Sequence, residues 1–143
     1  MRVVVTGVAC FIGSHLAMRL LNEGDTVIGI DNLSSGVVEN IEPRVMLHRE
    51  DIRSAAIYPL FDGVDTVVHV AAKNCLADCL DNPVEAAEVN VAGTANVLEA
   101  ACRAGVRHIV YADTSAEYEG VADVPSCVDR IGPRSIYARS KRG

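Results

Sequence analysis

The sequence lacks several features that would assign it to a class at once. No apolar stretch approaches the ~20 residues that a membrane-spanning helix needs, so no membrane partner is predicted. Repeats and low-complexity tracts are absent. Basic residues are not in excess, since 13 lysines and arginines stand against 19 acidic residues, for a net charge of −6. Because nucleic acids are bound by basic faces, no nucleic-acid partner is predicted either.

The sequence also lacks the cysteine spacing of a disulfide framework and the pattern of a secretion signal. The five cysteines are an odd number at irregular spacing. The apolar start of the chain is interrupted by Thr6 and Gly7 and passes directly into a helical pattern, unlike a signal peptide. We therefore expect reduced thiols and a cytoplasmic protein. Cys75 and Cys79 could share a helix face, but further ligands at suitable spacing are lacking, so no metal is predicted.

What the sequence does contain is a regular alternation of short apolar runs with helical patterns. A first helix ends just before Gly24, and a long helix begins after Asn82, with Pro83 as its first residue, and is stopped by Gly105. This alternation predicts an α/β fold with a parallel, doubly wound sheet in one domain over residues 1–143, of which 120–143 form a loop and the start of another helix. The predicted strands are Val3–Val5, Thr26–Ile30, Val45–Leu47, Thr66–Val70 and Arg107–Tyr111.

The long helix has a recognisable start and a predicted buried face. Asn82 is placed to act as N-cap, with Glu85 as its capping-box partner. Apolar residues recur along the helix at a spacing that favours one buried side. The residues predicted to form that side are Val84, Ala87, Val91, Leu98 and Cys102.

The turn between the first strand and the first helix carries the strongest functional signal. Gly7 permits a tight turn, Gly13 lets the helix approach the sheet, and the helix N-terminus directs its N–H groups at a pyrophosphate. Asp31 ends the second strand, near the ~20-residue offset of an acid that holds the ribose hydroxyls. Because a carboxylate there repels a 2′-phosphate, NAD is favoured over NADP. A plain strand–helix turn without a ligand is the alternative reading.

Cys10 occupies the middle of this loop, where a side chain is unusual. Its Cβ and sulfur are expected to crowd the pyrophosphate and weaken NAD binding. If the position needs a positive φ, the conformational cost would be of order ~1 kcal/mol or more.

These segments, taken in order, resemble the NAD-dependent epimerase/dehydratase family of extended short-chain dehydrogenases, and within it the UDP-sugar 4-epimerases. The opening Thr6–His15 resembles the family's Thr-Gly-Gly-Ala-Gly-Phe-Ile-Gly-Ser-His, with Val8 and Cys10 as departures. The other segments that carry the resemblance are Asp31–Gly36, Asp51–Ile52, His69–Ala72 and Asn90–Ala100. Of these, Asp51–Ile52 resembles the pair that reads the adenine edge of NAD. The resemblance implies a Rossmann-type sheet of about five strands that lacks the family's C-terminal sugar-binding part. The residues it assigns to NAD are Gly7, Cys10, Phe11, Ile12, Gly13, Asp31, Asn32, Asp51, Ile52, Ala71, Ala72 and Asn90.

The resemblance also implies three catalytic residues, Ser115, Tyr137 and Lys141. The last two form a Tyr-x-x-x-Lys pair, which on a helix lies one turn apart on one face. In these roles Tyr137 removes the proton of the sugar 4-hydroxyl while a hydride passes from C4 to NAD. Ser115 hydrogen-bonds the same oxygen, and Lys141 stabilises the phenolate. The resulting 4-keto sugar then turns over and takes the hydride back on its other face.

The residues around Ser115 distinguish between neighbouring groups of the family. The 4,6-dehydratases carry Thr-Asp-Glu at this position, whereas this chain reads Thr-Ser-Ala, which favours the epimerase type. Asp113, Glu117 and Glu119 stand where the epimerase type usually has small or apolar residues. Three added carboxylates are expected to repel a diphosphate substrate.

Three hypotheses about function remain open on the sequence. The first is a UDP-sugar 4-epimerase, completed by a sugar site on another chain or partner. The second is a truncated, non-catalytic NAD-binding module, and the third is an interaction protein that no longer binds the cofactor. The fifth strand would be an exposed edge with apolar Val106, Ile109 and Val110. Because exposed edges pair with other chains, we expect a homodimer or other self-association through that edge or the long helices.

Overall fold

The computed structural model describes residues 1–122 and 125–142, which form two compact units. The first unit, Met1–Ala72 with Gly93–Ala112, contains a five-stranded sheet. The second unit, Lys73–Ala92 with Asp113–Gly143, contains short helices. The single domain expected over residues 1–143 stays a prediction.

The sheet of the first unit is parallel throughout, with strand order β3-β2-β1-β4-β5. The order reverses at β1, with β2 and β3 on one side and β4 and β5 on the other. Since parallel crossovers are right-handed, this reversal places connecting helices on opposite faces, as a doubly wound sheet requires. The fold class is therefore confirmed, and each predicted strand is correct to within one residue. The strands are β1 Arg2–Thr6, β2 Thr26–Ile30, β3 Met46–His48, β4 Thr66–His69 and β5 His108–Tyr111.

The core of the first unit lies against the central strand. The side chains of Val3, Val4 and Val5 in β1 are almost completely buried, as expected for a strand covered on both faces. Helix α1, Phe11–Asn22, packs on β1 and β2. Gly24 follows the end of the helix, as predicted, and adopts a positive φ of 90°.

The remaining helices are short, and two of them are joined by a π-helical turn. In chain order they are α2 Leu76–Asp81, α3 Pro83–Ala87, the π turn Glu88–Gly93, α4 Thr94–Arg103 and α5 Ile136–Arg142. Three 3₁₀ turns cover Val38–Asn40, Ala55–Phe61 and Ser115–Tyr118. Across residues 1–122 and 125–142, no helix has the length and apolar character needed to cross a membrane. Residues 123 and 124 lie outside the described residues, and residues 120–122 and 125–134, predicted as a loop, form no helix or strand.

The long predicted helix begins at Pro83 but differs from the prediction in three ways. The π turn interrupts it, Asn82 makes no side-chain cap hydrogen bond, and Glu85 pairs instead with Lys73 Nζ at 2.8 Å. The predicted buried face was wrong as well, since all five of its residues are exposed. Small residues occupy the buried side because the packing is close there. The buried residues are Ala86, Asn90, Gly93, Val97, Ala100 and Ala101.

Strand β5 lies at the edge of the sheet, as predicted. Ile109 and Val110 are 40% and 55% exposed, whereas Val106, just before the strand, is half-buried. An apolar strand edge is therefore accessible in the first unit.

Candidate functional site

Gly7, in the loop after β1, and Gly13, in the first turn of α1, are required by close backbone contacts. Gly7 has a φ of 72°, and an added Cβ would lie 2.8 Å from the backbone nitrogen of Ala71. A Cβ on Gly13 would overlap the carbonyl oxygen of Gly7. A side chain at either position would therefore push β1, β4 or the start of α1 apart.

The start of α1 is open and carries unused backbone donors. The first helical hydrogen bond runs from Ser14 N to Cys10 O at 2.9 Å, so the N–H groups of Phe11, Ile12 and Gly13 precede the hydrogen-bond ladder. The side chains of Phe11 and Ile12 are 76% and 63% exposed. This is the arrangement that accepts an anion at a helix N-terminus.

Cys10 adopts a backbone conformation that any residue can take. Its φ is −82° and its ψ is 168°, so the conformational cost that a positive φ would impose does not arise. Burial, followed by the charge of Asp31, raises the pKa of the Cys10 thiol, which is therefore protonated at neutral pH. The expected crowding of a pyrophosphate by the side chain stays a prediction.

Asp31, at the end of β2, is buried and held by two backbone donors. Its Oδ2 accepts a hydrogen bond from Ala9 N at 2.9 Å, and its Oδ1 accepts one from Leu33 N at 2.8 Å. Leu33 has a left-handed φ of 59°, which directs its N–H back at the carboxylate. Because each carboxylate oxygen has two lone pairs, one remains on each for ribose hydroxyls.

The residues predicted to bind adenine are engaged within the first unit. Asp51 accepts hydrogen bonds from Arg53 and from Asn32 Nδ2, the latter at 3.1 Å. The Arg53 guanidinium, with smaller help from Asn32, lowers the pKa of Asp51 to about 2. Ile52 is buried, and its carbonyl accepts from Asn96 Nδ2 at 2.7 Å. The carboxylate is therefore ionised and fixed, and its contact with adenine stays a prediction.

A buried histidine supports the turn that contains Ala71 and Ala72, and sequence reasoning did not assign it this role. Thr6 Oγ1 lies 2.6 Å from His69 Nδ1 and accepts from Ala71 N at 3.2 Å. The other ring nitrogen of His69 lies 2.9 Å from Thr94 Oγ1. The two threonines lie 63 and 25 residues from His69 along the chain, so no local pattern in the sequence indicated these contacts.

The second unit brings together the predicted catalytic residues. Exposed Ser115 begins the 3₁₀ turn Ser115–Tyr118, and α5 packs against this turn. Half-buried Tyr137 and buried Lys141 lie one turn apart on α5, as the Tyr-x-x-x-Lys spacing predicted. Ser115 and Tyr137 thus remain accessible while Lys141 is enclosed.

Lys141 has an unusual environment for a lysine. It is 5% exposed, and this burial lowers the pKa of its amine to about 8, against a smaller opposing effect of the Asp113 charge. Buried titratable groups of this kind are concentrated at functional sites.

Asn90, predicted to bind the cofactor, is hydrogen-bonded to α5 and to the chain just before α2. Its Nδ2 donates to Ser140 Oγ at 2.8 Å and to Lys73 O at 3.0 Å, and its Oδ1 accepts from Lys73 N at 2.8 Å. Ser140 lies between Tyr137 and Lys141, so Asn90 anchors the helix that bears them. A direct contact with the cofactor stays a prediction.

The five cysteines are free thiols. Over residues 1–122 and 125–142, no set of three histidine, cysteine, aspartate or glutamate residues is arranged to hold a metal ion. Cys79 is buried and donates to Lys73 O at 3.4 Å, whereas Cys75 is exposed.

The chain is similar to known proteins that are named for UDP-sugars. Residues 3–143 match the family model described as the NAD dependent epimerase/dehydratase family. UDP-glucuronic acid decarboxylase 2 of Arabidopsis thaliana is 37% identical over 153 residues, which covers 99% of this chain and 33% of that protein.

Two solved structures extend the comparison. The UDP-glucose 4-epimerase of Thermotoga maritima, solved with UDP-glucose, has a TM-score of 0.95 and 32% identity, covering 99% of this chain and 48% of that one. The Thermus thermophilus UDP-glucose 4-epimerase complex with NAD has a TM-score of 0.87 and 35% identity, covering 99% and 47%. The chain thus spans about a third to a half of the length of these relatives.

Proposed function

This chain belongs to the NAD dependent epimerase/dehydratase family, and from that membership we propose that its first unit binds NAD and that its second unit carries the catalytic group of a UDP-hexose 4-epimerase. The observation that carries the catalytic part is buried Lys141, one helical turn from Tyr137. The solved relatives that contain UDP-glucose and NAD support the choice of substrate class and cofactor.

The residues around the loop after β1 fit the ADP half of NAD. Gly7 and Gly13 leave no side chain between the strand ends and the helix start, where the free N–H groups are suited to a pyrophosphate. The carboxylate of Asp31 keeps acceptor capacity for the ribose hydroxyls and repels a 2′-phosphate.

The chemistry asked of the second unit is proton transfer at the sugar 4-hydroxyl. When bound, NAD supplies the hydride acceptor and donor. Tyr137 takes and returns the proton of the 4-hydroxyl oxygen, and Ser115 hydrogen-bonds that oxygen. The Lys141 ammonium lies on the same helix face as the phenol, one turn away, and supplies the positive charge of the proposed catalytic group.

A second candidate is a non-catalytic NAD-binding module. The observation in its favour is coverage, since the relatives are two to three times as long as the part that this chain matches. Decarboxylation of a UDP-hexuronic acid is a further outcome to be tested, because a decarboxylase is among the relatives at 37% identity.

Calorimetric titration of the purified chain with NAD and with NADP tests the cofactor. We expect NAD to bind at least about tenfold more tightly, which corresponds to ~1.4 kcal/mol of discrimination by the Asp31 carboxylate. Asp31→Asn should reduce this preference, whereas Asp62→Asn, at an exposed carboxylate of the same unit, should not. A chain that binds neither nucleotide would reject the proposal.

The same titration, carried out with a variant at the loop residue Cys10, tests whether its side chain weakens NAD binding. Because its thiol adds bulk at the helix N-cap, Cys10→Gly is expected to bind NAD more tightly than the parent chain. Equal affinities would show that the side chain turns away from the pyrophosphate.

Turnover is tested by incubating the chain with NAD and UDP-glucose, UDP-galactose or UDP-glucuronic acid. Interconversion of the first two, abolished by Tyr137→Phe, is the expected result. Release of carbon dioxide from UDP-glucuronic acid would reassign the reaction. NAD binding without any turnover would favour the non-catalytic module.

A further inference from the structure

Resting on the proposed function, we propose that Glu117 and Glu119 are positioning residues that hold the two ends of α5 against the turn that carries Ser115. Both glutamates were expected from the sequence to repel a diphosphate. The structure instead gives each of them a partner within the second unit.

Glu119 is bonded to the start of α5. Its Oε2 accepts from Ser135 N at 2.8 Å and from Arg134 N at 3.2 Å, and its Oε1 accepts from Ser135 Oγ at 2.9 Å. Ser135 Oγ also accepts from Ala138 N at 3.1 Å, as a helix N-cap does. The hydrogen bond from the Ser135 backbone is the main reason that the pKa of Glu119 lies below its usual range. One carboxylate therefore orients the capping residue of the helix.

Glu117 faces the opposite end of the same helix. It is buried, and its Oε2 lies 3.8 Å from a guanidinium nitrogen of Arg142, in the last turn of α5. Its backbone carbonyl accepts from Gly132 N at 2.7 Å, and Gly120 N donates to Gly132 O at 2.8 Å. These two backbone hydrogen bonds hold the segment before α5 against the 3₁₀ turn and against Gly120 just beyond it.

A short helix needs such anchors. Helix α5 has 7 residues, and helices of this length are marginal in water without tertiary contacts. Displacing either end would move Tyr137 and Lys141 relative to Ser115, so the two carboxylates act on the catalytic group through the helix.

The position of Lys141 provides a readout that needs neither cofactor nor turnover. In the full chain labelled with ¹³C-lysine, the Lys141 resonance, assigned with Lys141→Arg, is titrated together with amide exchange in α5. In Glu119→Ala, the pKa of Lys141 should rise from about 8 toward its ordinary 10.5, because α5 loosens and the amine is hydrated. Exchange of the α5 amides should accelerate about threefold to tenfold, as expected for lost hydrogen bonds of ordinary strength.

Matched variants separate positioning from general destabilisation. Glu119→Gln keeps an oxygen for the two backbone donors and should recover most of both effects, while Glu39→Ala, at an exposed carboxylate of the first unit, should change neither. Glu117→Gln should accelerate exchange at the Arg142 end of α5. Amides of β1 serve as the internal reference and should exchange at the parent rate.

The two proposals fail in different ways. A parent-like Lys141 titration and parent-like α5 exchange in Glu119→Ala would overturn the positioning role, whatever the chain does with sugars. If Glu119→Ala also accelerates amide exchange in β1, the test is the Glu119→Gln variant, which keeps an acceptor oxygen. Equal changes of the Lys141 pKa and of α5 exchange in both variants would contradict the positioning role. A shifted titration without turnover would support positioning and reject the epimerase.

Discussion

At the scale of single residues, two unusual positions in the first unit complement each other. Val8 stands where the resembling family opening has glycine, and it is fully buried. In the neighbouring strand β2, Gly29 has no side chain, and an added Cβ would lie 2.6 Å from Val8 Cγ1 and 2.8 Å from Val45 Cγ1. The valine therefore fills the space that the glycine leaves.

Gly29→Ala should consequently lower the free energy of unfolding by about 1–3 kcal/mol, because it overpacks the core. Val8→Ala alone should also destabilise the chain, by leaving a cavity. In the double variant the two losses should partly cancel, since the new methyl group enters the space vacated by the valine. Urea unfolding of the four chains checks this, and strictly additive losses would contradict the contact.

At the scale of elements, the packing of α5 within the second unit buries Lys141. Its pKa in the folded chain, about 8, lies below the ordinary 10.5 of an unfolded chain. Between these values the unfolded state binds more protons, so the contribution of Lys141 to the free energy of unfolding rises with pH. Below pH 8 the amine is charged in both states, and its burial opposes folding.

Lys141→Met should therefore stabilise the chain most below pH 8, and this advantage should shrink as the pH approaches 10.5. The measurement is the difference in free energy of unfolding between variant and parent, from urea curves at several pH values. Lys73→Met is a matched control, because the hydrogen bond to Glu85 raises the pKa of Lys73 and leaves that window flat. A pH-independent difference for Lys141→Met would mean that the amine is hydrated in the folded chain.

The π turn shows what an element-level pattern can miss. Regular spacing of apolar residues predicted a continuous helix with the larger side chains inside. In the structure, Gly93 faces Ile52, and an added Cβ would lie 2.7 Å from Ile52 Cδ1, so only a residue without a side chain fits. The close approach of Ile52 explains why the face with small residues is buried. Asn90 can also be buried, because Ser140 and the Lys73 backbone form hydrogen bonds with its side-chain amide.

At the scale of the whole molecule, each unit exposes apolar surface. The first unit exposes Ile109 and Val110 on the β5 edge, and the second exposes Leu80 and Val84, at 64% and 70%. Unpaired strand edges and apolar helix faces are typical places for chains to associate. Self-association stays a prediction that these surfaces support.

Light scattering over a range of concentrations should therefore show a mass above that of the monomer at high concentration. Val110→Lys should weaken association if the β5 edge is used, and Val84→Lys should weaken it if the α3 surface is used. Val128→Lys, in an exposed loop, is the matched control. A monomer at every concentration would contradict the prediction.

By itself, the sequence determined the features that depend on neighbouring residues. Strand and helix order, the turn at Gly7, the end of α1 at Gly24 and the one-turn spacing of Tyr137 and Lys141 all follow from local periodicity and backbone freedom. The family resemblance in the loop after β1 and at Asp31 is local in the same sense, and the match over residues 3–143 confirmed it.

Only the tertiary structure decided which partner each polar side chain meets. Asn90 binds Ser140, 50 residues away, and Glu119 binds Ser135, 16 residues away. The sequence indicated carboxylates that would repel a substrate, whereas the fold bonds Glu119 to the start of α5 and sets Glu117 opposite Arg142 at its end. The physical reason is that charge and periodicity are readable along the chain, but hydrogen-bond partners depend on which segments pack together.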